Sequence, residues 1–278
     1  MRWPPFEHIF FDCDSTLTTV EGIDILAEKM GKRQGVEMLT QAAMDGTIEL
    51  EDIYKKRLDT LNPTRQQVLD LRHDYKRNMV EDAARVVAAL QALGHKVYII
   101  SGGLAEPVEE FGISLGIPRD RIRAVELAYN ELSGQWWDKS DTDSKHYLKH
   151  AEGALTVSNG KAQIVRELLG DQLGRSLLIG DGQSDLVAGH SVDLFVGYGG
   201  VVARSNVKAE APAFINSPSL APLLGLAGGP AELRILSTWP MPYQSLSLKA
   251  QYLIHKGVVT FNDEHLESKF RRAFFAAQ

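Results

Sequence analysis

Two aspartates one residue apart, Asp12 and Asp14, open the run Asp12-Cys13-Asp14-Ser15-Thr16 directly after an apolar stretch. Where a strand ends in a hydroxyl-rich turn, two such carboxylates can face one ligand. One can attack phosphorus while the other moves the leaving-group proton, the division of labour of a two-step phosphoryl transfer. Further along, Asp181 and Asp185 lie in Gly180-Asp181-Gly182-Gln183-Ser184-Asp185, again after an apolar run. Hard oxygen ligands of this kind suit Mg²⁺. Two acidic strand ends at one crevice would repel each other, and a divalent cation would relieve that repulsion and neutralise phosphoryl oxygens. Ser101-Gly102-Gly103 adds a hydroxyl and closely approachable backbone N–H groups ahead of helical sequence, a resting place for an anion. Lys161 follows Asn159-Gly160 at the start of another helical pattern. A cation there opposes the helix dipole, and a nearby anion would explain its position. Taken singly, each of these features is also found in ordinary turns and on ordinary surfaces.

The elements that must carry these residues follow from the pattern around them. Residues 6–11, 96–100 and 176–179 are short apolar runs of strand-favouring composition, and each ends in a polar or glycine-containing turn. Helical periodicity over residues 81–93 stops at Gly94, and that over residues 161–169 stops at Gly170. Strands alternating with helices predict an α/β fold, a Rossmann-like parallel sheet covered on both faces. Ligands collect at the carboxyl ends of such strands. Residues 18–80 interrupt the alternation with charged, helix-favouring sequence and read as a helical cap inserted after the first strand. The core is thus expected over residues 1–17 and 81–225. Residues 138–159 are polar and read as loop, with a short helix near residues 147–151. The glycine-rich run from Gly225 to Pro230 reads as a linker, leaving residues 226–278 as an extension of unassigned role. Within it Leu266, Phe270 and Phe274 recur every fourth residue, an apolar helix face that packs on the core or on a second copy, so a homodimer stays open.

Composition limits the partners. A net charge of −6 across 278 residues and a pI near 5.8 supply no basic field for nucleic acid or an anionic membrane. No apolar run approaches the ~18 residues of a membrane span, and the first residues lack the apolar core of a secretory signal. The single cysteine, Cys13, forms no intrachain disulfide and is compatible with a reducing compartment. Its place between the two aspartates reads as a small buried filler. A cytoplasmic protein is expected.

Asp12-Cys13-Asp14-Ser15-Thr16, Ser101, Lys161 and Gly180-Asp181-Gly182-Gln183-Ser184-Asp185 occur in the order that resembles the haloacid dehalogenase superfamily, over roughly residues 6–225. The Asp-x-Asp-Ser-Thr form is similar to its phosphoserine phosphatase branch. The resemblance implies Asp12 as nucleophile and Asp14 as general acid and base. It implies Ser101, Gly102, Gly103 and Lys161 around the phosphate, with Ser184 standing where the family commonly has a threonine. Mg²⁺ would be held by Asp12, the main-chain oxygen of Asp14, and Asp181, with Asp185 supporting the site. In the cap, Glu21-Gly22-Ile23-Asp24 and Arg57-Leu58-Asp59-Thr60-Leu61-Asn62-Pro63 also match the branch, as does Met44. The matching Glu and Arg engage the amino-acid part of the substrate. An ammonium favours a carboxylate, and a planar guanidinium grips a carboxylate through two parallel hydrogen bonds. The implied activity is hydrolysis of O-phosphoserine to serine and phosphate, the last step of serine biosynthesis. Two other readings remain: a phosphatase or phosphotransferase for another small phosphate ester, and a non-catalytic member that binds a partner.

Overall fold

The structure is a computed structural model that describes residues 3–44, 50–157 and 159–275, with the side chains of residues 40–44, 50 and 51 outside the description. The chain opens with β1 (His8–Phe11) and then leaves the sheet for four helices, α1 (Gly22–Lys29), α2 (Arg33–Met44), α3 (Leu50–Leu61) and α4 (Arg65–Arg77). It returns through α5 (Ala83–Ala92), β2 (Lys96–Leu104), α6 (Ala105–Ser114) and β3 (Ile122–Val125). A hairpin of β4 (Leu127–Tyr129) and β5 (Tyr147–His150) follows, then α7 (Gly160–Leu169), β6 (Ser176–Gly180), α8 (Gln183–Ala188), β7 (Leu194–Tyr198), α9 (Ser205–Glu210) and β8 (Ala213–Ile215). The last elements are α10 (Leu223–Thr238), α11 (Tyr243–His255), β9 (Val259–Phe261) and α12 (Glu264–Phe275).

The main sheet has the order β3-β2-β1-β6-β7-β8-β9, parallel except for the antiparallel edge strand β9. Buried β-branched and aromatic side chains make these strands: β1, β6, β7 and β8 are buried at every residue. One apolar layer joins Ile9, Phe11, Ile99 and Ile179 to α5, α6 and the C-terminal helices, and the other joins Phe10, Tyr98 and Leu178 to α7 and α8. The helices of residues 18–80 have a core of their own, in which Leu26, Val36, Leu58, Leu61, Val68 and Leu71 meet Leu104, Tyr129 and Tyr147. The helical character expected for that segment is therefore what its described residues adopt.

Two local expectations are corrected. The short helix expected near residues 147–151 is the strand β5, because Tyr147 and His150 turn inward while the backbone pairs with β4. That pairing spans a loop too long for local periodicity to register. The linker expected from Gly225 to Pro230 lies inside α10, which breaks only at Gly229. These glycines serve close packing instead of flexibility. A Cβ on Gly225 would meet Ile254 at 2.4 Å, and one on Gly229, at φ +70, would meet Trp3 at 2.8 Å. Residues 226–275 accordingly complete the core: Leu226, Leu233, Leu236, Leu246, Ile254 and Phe270 share a cluster with Phe6 and Ile9. Phe270 is buried, stacks on Phe274 at 4.4 Å and meets Trp3 edge-on at 5.2 Å. The apolar stripe is thus used on its own chain and lends no support to a homodimer.

A buried histidine ties this extension to the sheet. His95 Nδ1 lies 2.5 Å from the Phe6 carbonyl oxygen and Nε2 lies 2.8 Å from the Glu232 carboxylate on α10. Burial lowers its pKa, but the Glu232 carboxylate outweighs burial and leaves it above the ordinary 6.5. A histidine raised in the folded state contributes stability that is complete below the unfolded pKa and is lost as pH rises through the folded one. Stability should therefore fall as pH climbs through and above neutrality. Urea melts of the parent and Glu232→Gln across that range check this. The decline attributable to His95 should be absent in the variant, and equal slopes would contradict the assignment.

Candidate active site

Parallel register brings the three polar strand ends together. Phe11 pairs with Ile99 on β2 and with Ile179 on β6, so the next residues of all three strands emerge at one edge. The Asp12 N–H donates to the Ile179 carbonyl at 2.9 Å, which fixes the first carboxylate against β6. Beyond Asp12 the chain turns sharply, with the Leu17 N–H donating to the Cys13 carbonyl at 2.8 Å and Ser15 at φ 56. That turn carries Asp14 round to the start of α1, where its Oδ2 accepts from the Gly22 N–H at 3.2 Å.

Lys161 crosses the crevice from the first turn of α7. Its Nζ donates to Asp12 Oδ1 at 2.6 Å and to Asp185 Oδ1 at 2.7 Å, and all three residues are buried. The preceding Gly160 makes this approach possible, since a Cβ there would lie 1.5 Å from the Ala154 carbonyl oxygen. Burial would neutralise the lysine, but Asp12 and Asp185 outweigh it and hold the ammonium charged. Asp185 also accepts from the Gly182 N–H at 3.1 Å, closing the turn that presents Asp181.

The carboxylates respond to this crowding. Burial and then the neighbouring Asp185 push Asp12 upward, against the pull of Lys161. Asp181 is pushed up to about 6, mainly by burial, with Arg204 opposing and Asp185 adding to the shift. Burial and then Glu21 push Asp14 up to about 7, while the Tyr75 hydroxyl and the Gly22 N–H hold it down. A carboxyl of that strength can both give and take a proton near neutrality. Cys13 is buried in the apolar core and its thiol is pushed well up, by burial first and by Asp14 and Asp12 next, so it sits there as the neutral filler expected.

A cavity of about 250 Å³ joins these groups to the helices of residues 18–80, and its lining includes Asp12, Asp14, Glu21, Arg57, Ser101, Gly102, Gly103, Lys161, Asp181, Ser184 and Asp185. Every sequence-predicted residue but Met44 is therefore on one wall or another, and the Met44 side chain lies outside the described residues. Glu21 is held in place by the Ser15 hydroxyl, which donates to its Oε1 at 2.9 Å. Oδ1 of Asp14 and the Tyr54 hydroxyl are buried in the wall with no hydrogen-bond partner among the described residues, groups that a polar ligand would satisfy. Asp12, Asp181 and Asp185 each offer an oxygen within 4.8 Å of the others. A buried, all-oxygen acidic set fits a hard divalent cation, and all three of its members are among the acidic residues named from the sequence.

Two polar wall residues, Tyr54 and Arg204, escaped sequence reasoning. Tyr54 comes from α3 and carries no motif. Arg204 follows β7, donates from Nε to Asp181 at 3.0 Å and reaches Glu21 Oε1 at 3.5 Å, linking the end of β6 to the residue before α1. A signal for it existed, since Leu194–Tyr198 is a fourth apolar strand ending in glycines, Gly199-Gly200.

Residues 9–190 match the haloacid dehalogenase-like hydrolase family. The chain belongs to that family. Among related hydrolases, a phosphoserine phosphatase of Drosophila melanogaster is 33% identical over 209 residues, 74% of this chain and 73% of that protein. A chloroplastic phosphoserine phosphatase of Arabidopsis thaliana is 32% identical over 214 residues, 75% of this chain and 68% of that protein. The crystal structure of a probable phosphoserine phosphatase from Vibrio cholerae superposes with a TM-score of 0.64 at 25% identity, covering 84% of this chain and 69% of that one. The haloacid dehalogenase-like fold expected from the sequence is thus the fold of this hydrolase.

Proposed function

We propose that this hydrolase is a phosphoserine phosphatase that works through a phosphorylated Asp12. The observation that carries the reading is one cavity lined by Asp12, Asp14 and Lys161 from the core and by Glu21 and Arg57 from the cap. That set matches the three charged groups of O-phosphoserine: cationic and N–H donors for the phosphate, a carboxylate for the ammonium, a guanidinium for the carboxylate. The relatives' shared activity supports the same substrate.

In the first step an oxygen of Asp12 attacks phosphorus and the bond from phosphorus to the seryl oxygen breaks, with the Asp14 proton passing to that oxygen. In the second, Asp14 takes a proton from water as the water oxygen attacks the phosphoryl group. The bond from phosphorus to Asp12 breaks and inorganic phosphate leaves. In this reading Ser101, Gly102 and Gly103, which line the cavity just before α6, would hold the equatorial oxygens, the Ser101 hydroxyl and the Gly103 N–H that donates to it at 2.9 Å turning to the phosphoryl group. Lys161 keeps Asp12 oriented and opposes the charge that gathers on phosphorus. Mg²⁺ is the cation we assign to Asp12, Asp14 and Asp181 with Asp185 in support, where it would neutralise phosphoryl charge. The division into a core of residues 1–17 and 81–225 and a cap of residues 18–80 is part of this reading, the cap excluding bulk water while the chemistry proceeds. No helix among the described residues is long and apolar enough to cross a membrane, and we place the reaction in the cytoplasm.

The test is one of selectivity. Phosphoethanolamine keeps the ammonium of the substrate but lacks its carboxylate. Arg57→Ala should cost about 2–5 kcal/mol for phosphoserine, the range for truncating one partner of a buried charge pair, and far less for phosphoethanolamine. The ratio of kcat/KM between the two esters should therefore fall by at least about tenfold. An unchanged ratio, in a variant whose circular dichroism matches the parent's, would remove phosphoserine as the substrate and leave a phosphatase for another small ester.

A further inference from the structure

The segment of residues 18–80 joins the sheet through two crossings that run side by side. Thr18 and Met79 form an antiparallel bridge, the Val80 N–H donates to the Leu17 carbonyl at 2.9 Å, and the Thr19 N–H donates to the Asn78 carbonyl at 2.7 Å. Any motion of the cap against the core must bend this ribbon. Immediately after it come Glu81 and Asp82, and both are gripped from the C-terminal extension. Lys249 on α11 donates to the Glu81 and Asp82 carboxylates. The Asp82 side chain is 5% exposed and also accepts from Ser219 Oγ and Arg85, each at 2.8 Å. Arg85 in turn donates to the Pro242 carbonyl at 3.0 Å and to Ser245 Oγ at 2.7 Å, so α5 is fastened to the start of α11. Asp82 holds a left-handed backbone, φ 65, at the head of α5, a conformation that needs local support in a non-glycine residue.

We propose that Lys249 is a positioning residue for the active site: by holding Glu81 and Asp82, the C-terminal extension fixes the return strand of the cap ribbon and biases the cap toward closure. The extension then has a task beyond completing the core, although its sequence lies outside residues 9–190 that match the family. The consequence for turnover rests on the phosphatase reading, whereas the hinge itself does not. Releasing Lys249 leaves a buried carboxylate short of a partner beside the ribbon, which favours open arrangements. Substrate affinity falls by the fraction of molecules that remain competent to bind, and KM rises while the chemistry at Asp12 is unaltered.

The experiment uses the full chain with Lys249→Met, Lys249→Arg as the conservative rescue, and Leu248→Ser as an exposed control beside it. Hydrogen exchange should accelerate at least about tenfold at Thr19 and Val80 in Lys249→Met, with β1 protected as in the parent, and return to the parental rate in Lys249→Arg and Leu248→Ser. For O-phosphoserine, KM should rise at least about fivefold with kcat within about twofold of the parent. Unchanged exchange at Thr19 and Val80, acceleration spread equally through β1, or an unchanged KM for an ester that the parent hydrolyses would each overturn the proposal. A parent that leaves phosphoserine intact would defeat the substrate assignment alone, and the exchange rates would still decide the hinge.

Discussion

Asp12→Asn is expected to lower turnover of O-phosphoserine by about four to six orders of magnitude, the scale on which removal of a nucleophile acts in enzymes with covalent intermediates. The amide nitrogen and oxygen of asparagine do not attack phosphorus at a useful rate, while the side chain keeps nearly the same shape. Folding should survive for a reason visible in the site. Asp12 is crowded by Asp185 and Asp181 and is pushed upward by burial, so removing its charge relieves repulsion as well as costing one bond from Lys161. Steady-state kinetics with O-phosphoserine, paired with a thermal melt, check both halves. A folded variant retaining turnover within about a hundredfold of the parent would exclude Asp12 as the attacking group.

Lys161→Met should damage stability and turnover together. The parent ammonium lies between Asp12 and Asp185, and all three groups are buried. Its loss leaves two carboxylates without their cation, and breaking a buried pair in this way costs about 3–5 kcal/mol of stability. Turnover loses the charge that opposes the phosphoryl oxygens, about a hundredfold to a thousandfold in kcat by analogy with removal of one electrostatic donor. The double variant Lys161→Met with Asp185→Asn separates the two effects. Neutralising Asp185 should restore part of the stability, since one unpaired charge is gone, and should restore none of the turnover. Urea melts and kcat measured on the same preparations check this, and recovery of both by the double variant would place Lys161 in a purely structural role.

How much of this was legible in the residues depends on how locally each feature is encoded. Asp12, Ser101 and Asp181 could be read because each follows a short apolar run, and the parallel register of β1, β2 and β6 then sets them at one edge. The helices of residues 18–80 were legible from composition and charge. Features made by distant pairing were not. β5 carries only four residues and takes its strand geometry from β4 across a long loop, so a helix was the local expectation there. Gly225, Gly228 and Gly229 suggested a linker, because a glycine that admits Ile254 or Trp3 to van der Waals contact looks the same in sequence as one that bends freely. The strand end before Arg204 was legible but its ion pairs were not, because its partners Asp181 and Glu21 are brought to it by two different connections of the fold.

A phosphoryl group carried on Asp12 during hydrolysis of O-phosphoserine can be trapped. The purified chain would be mixed with O-phosphoserine and Mg²⁺, quenched in acid within the first turnover, digested, and read by mass spectrometry. Phosphoryl mass is expected on the peptide that contains Asp12, appearing before serine and phosphate accumulate, lost on longer incubation, and absent from Asp12→Asn. Release of serine and phosphate by the parent with that peptide unmodified at every quench time, or phosphoryl mass on a different residue, would contradict it.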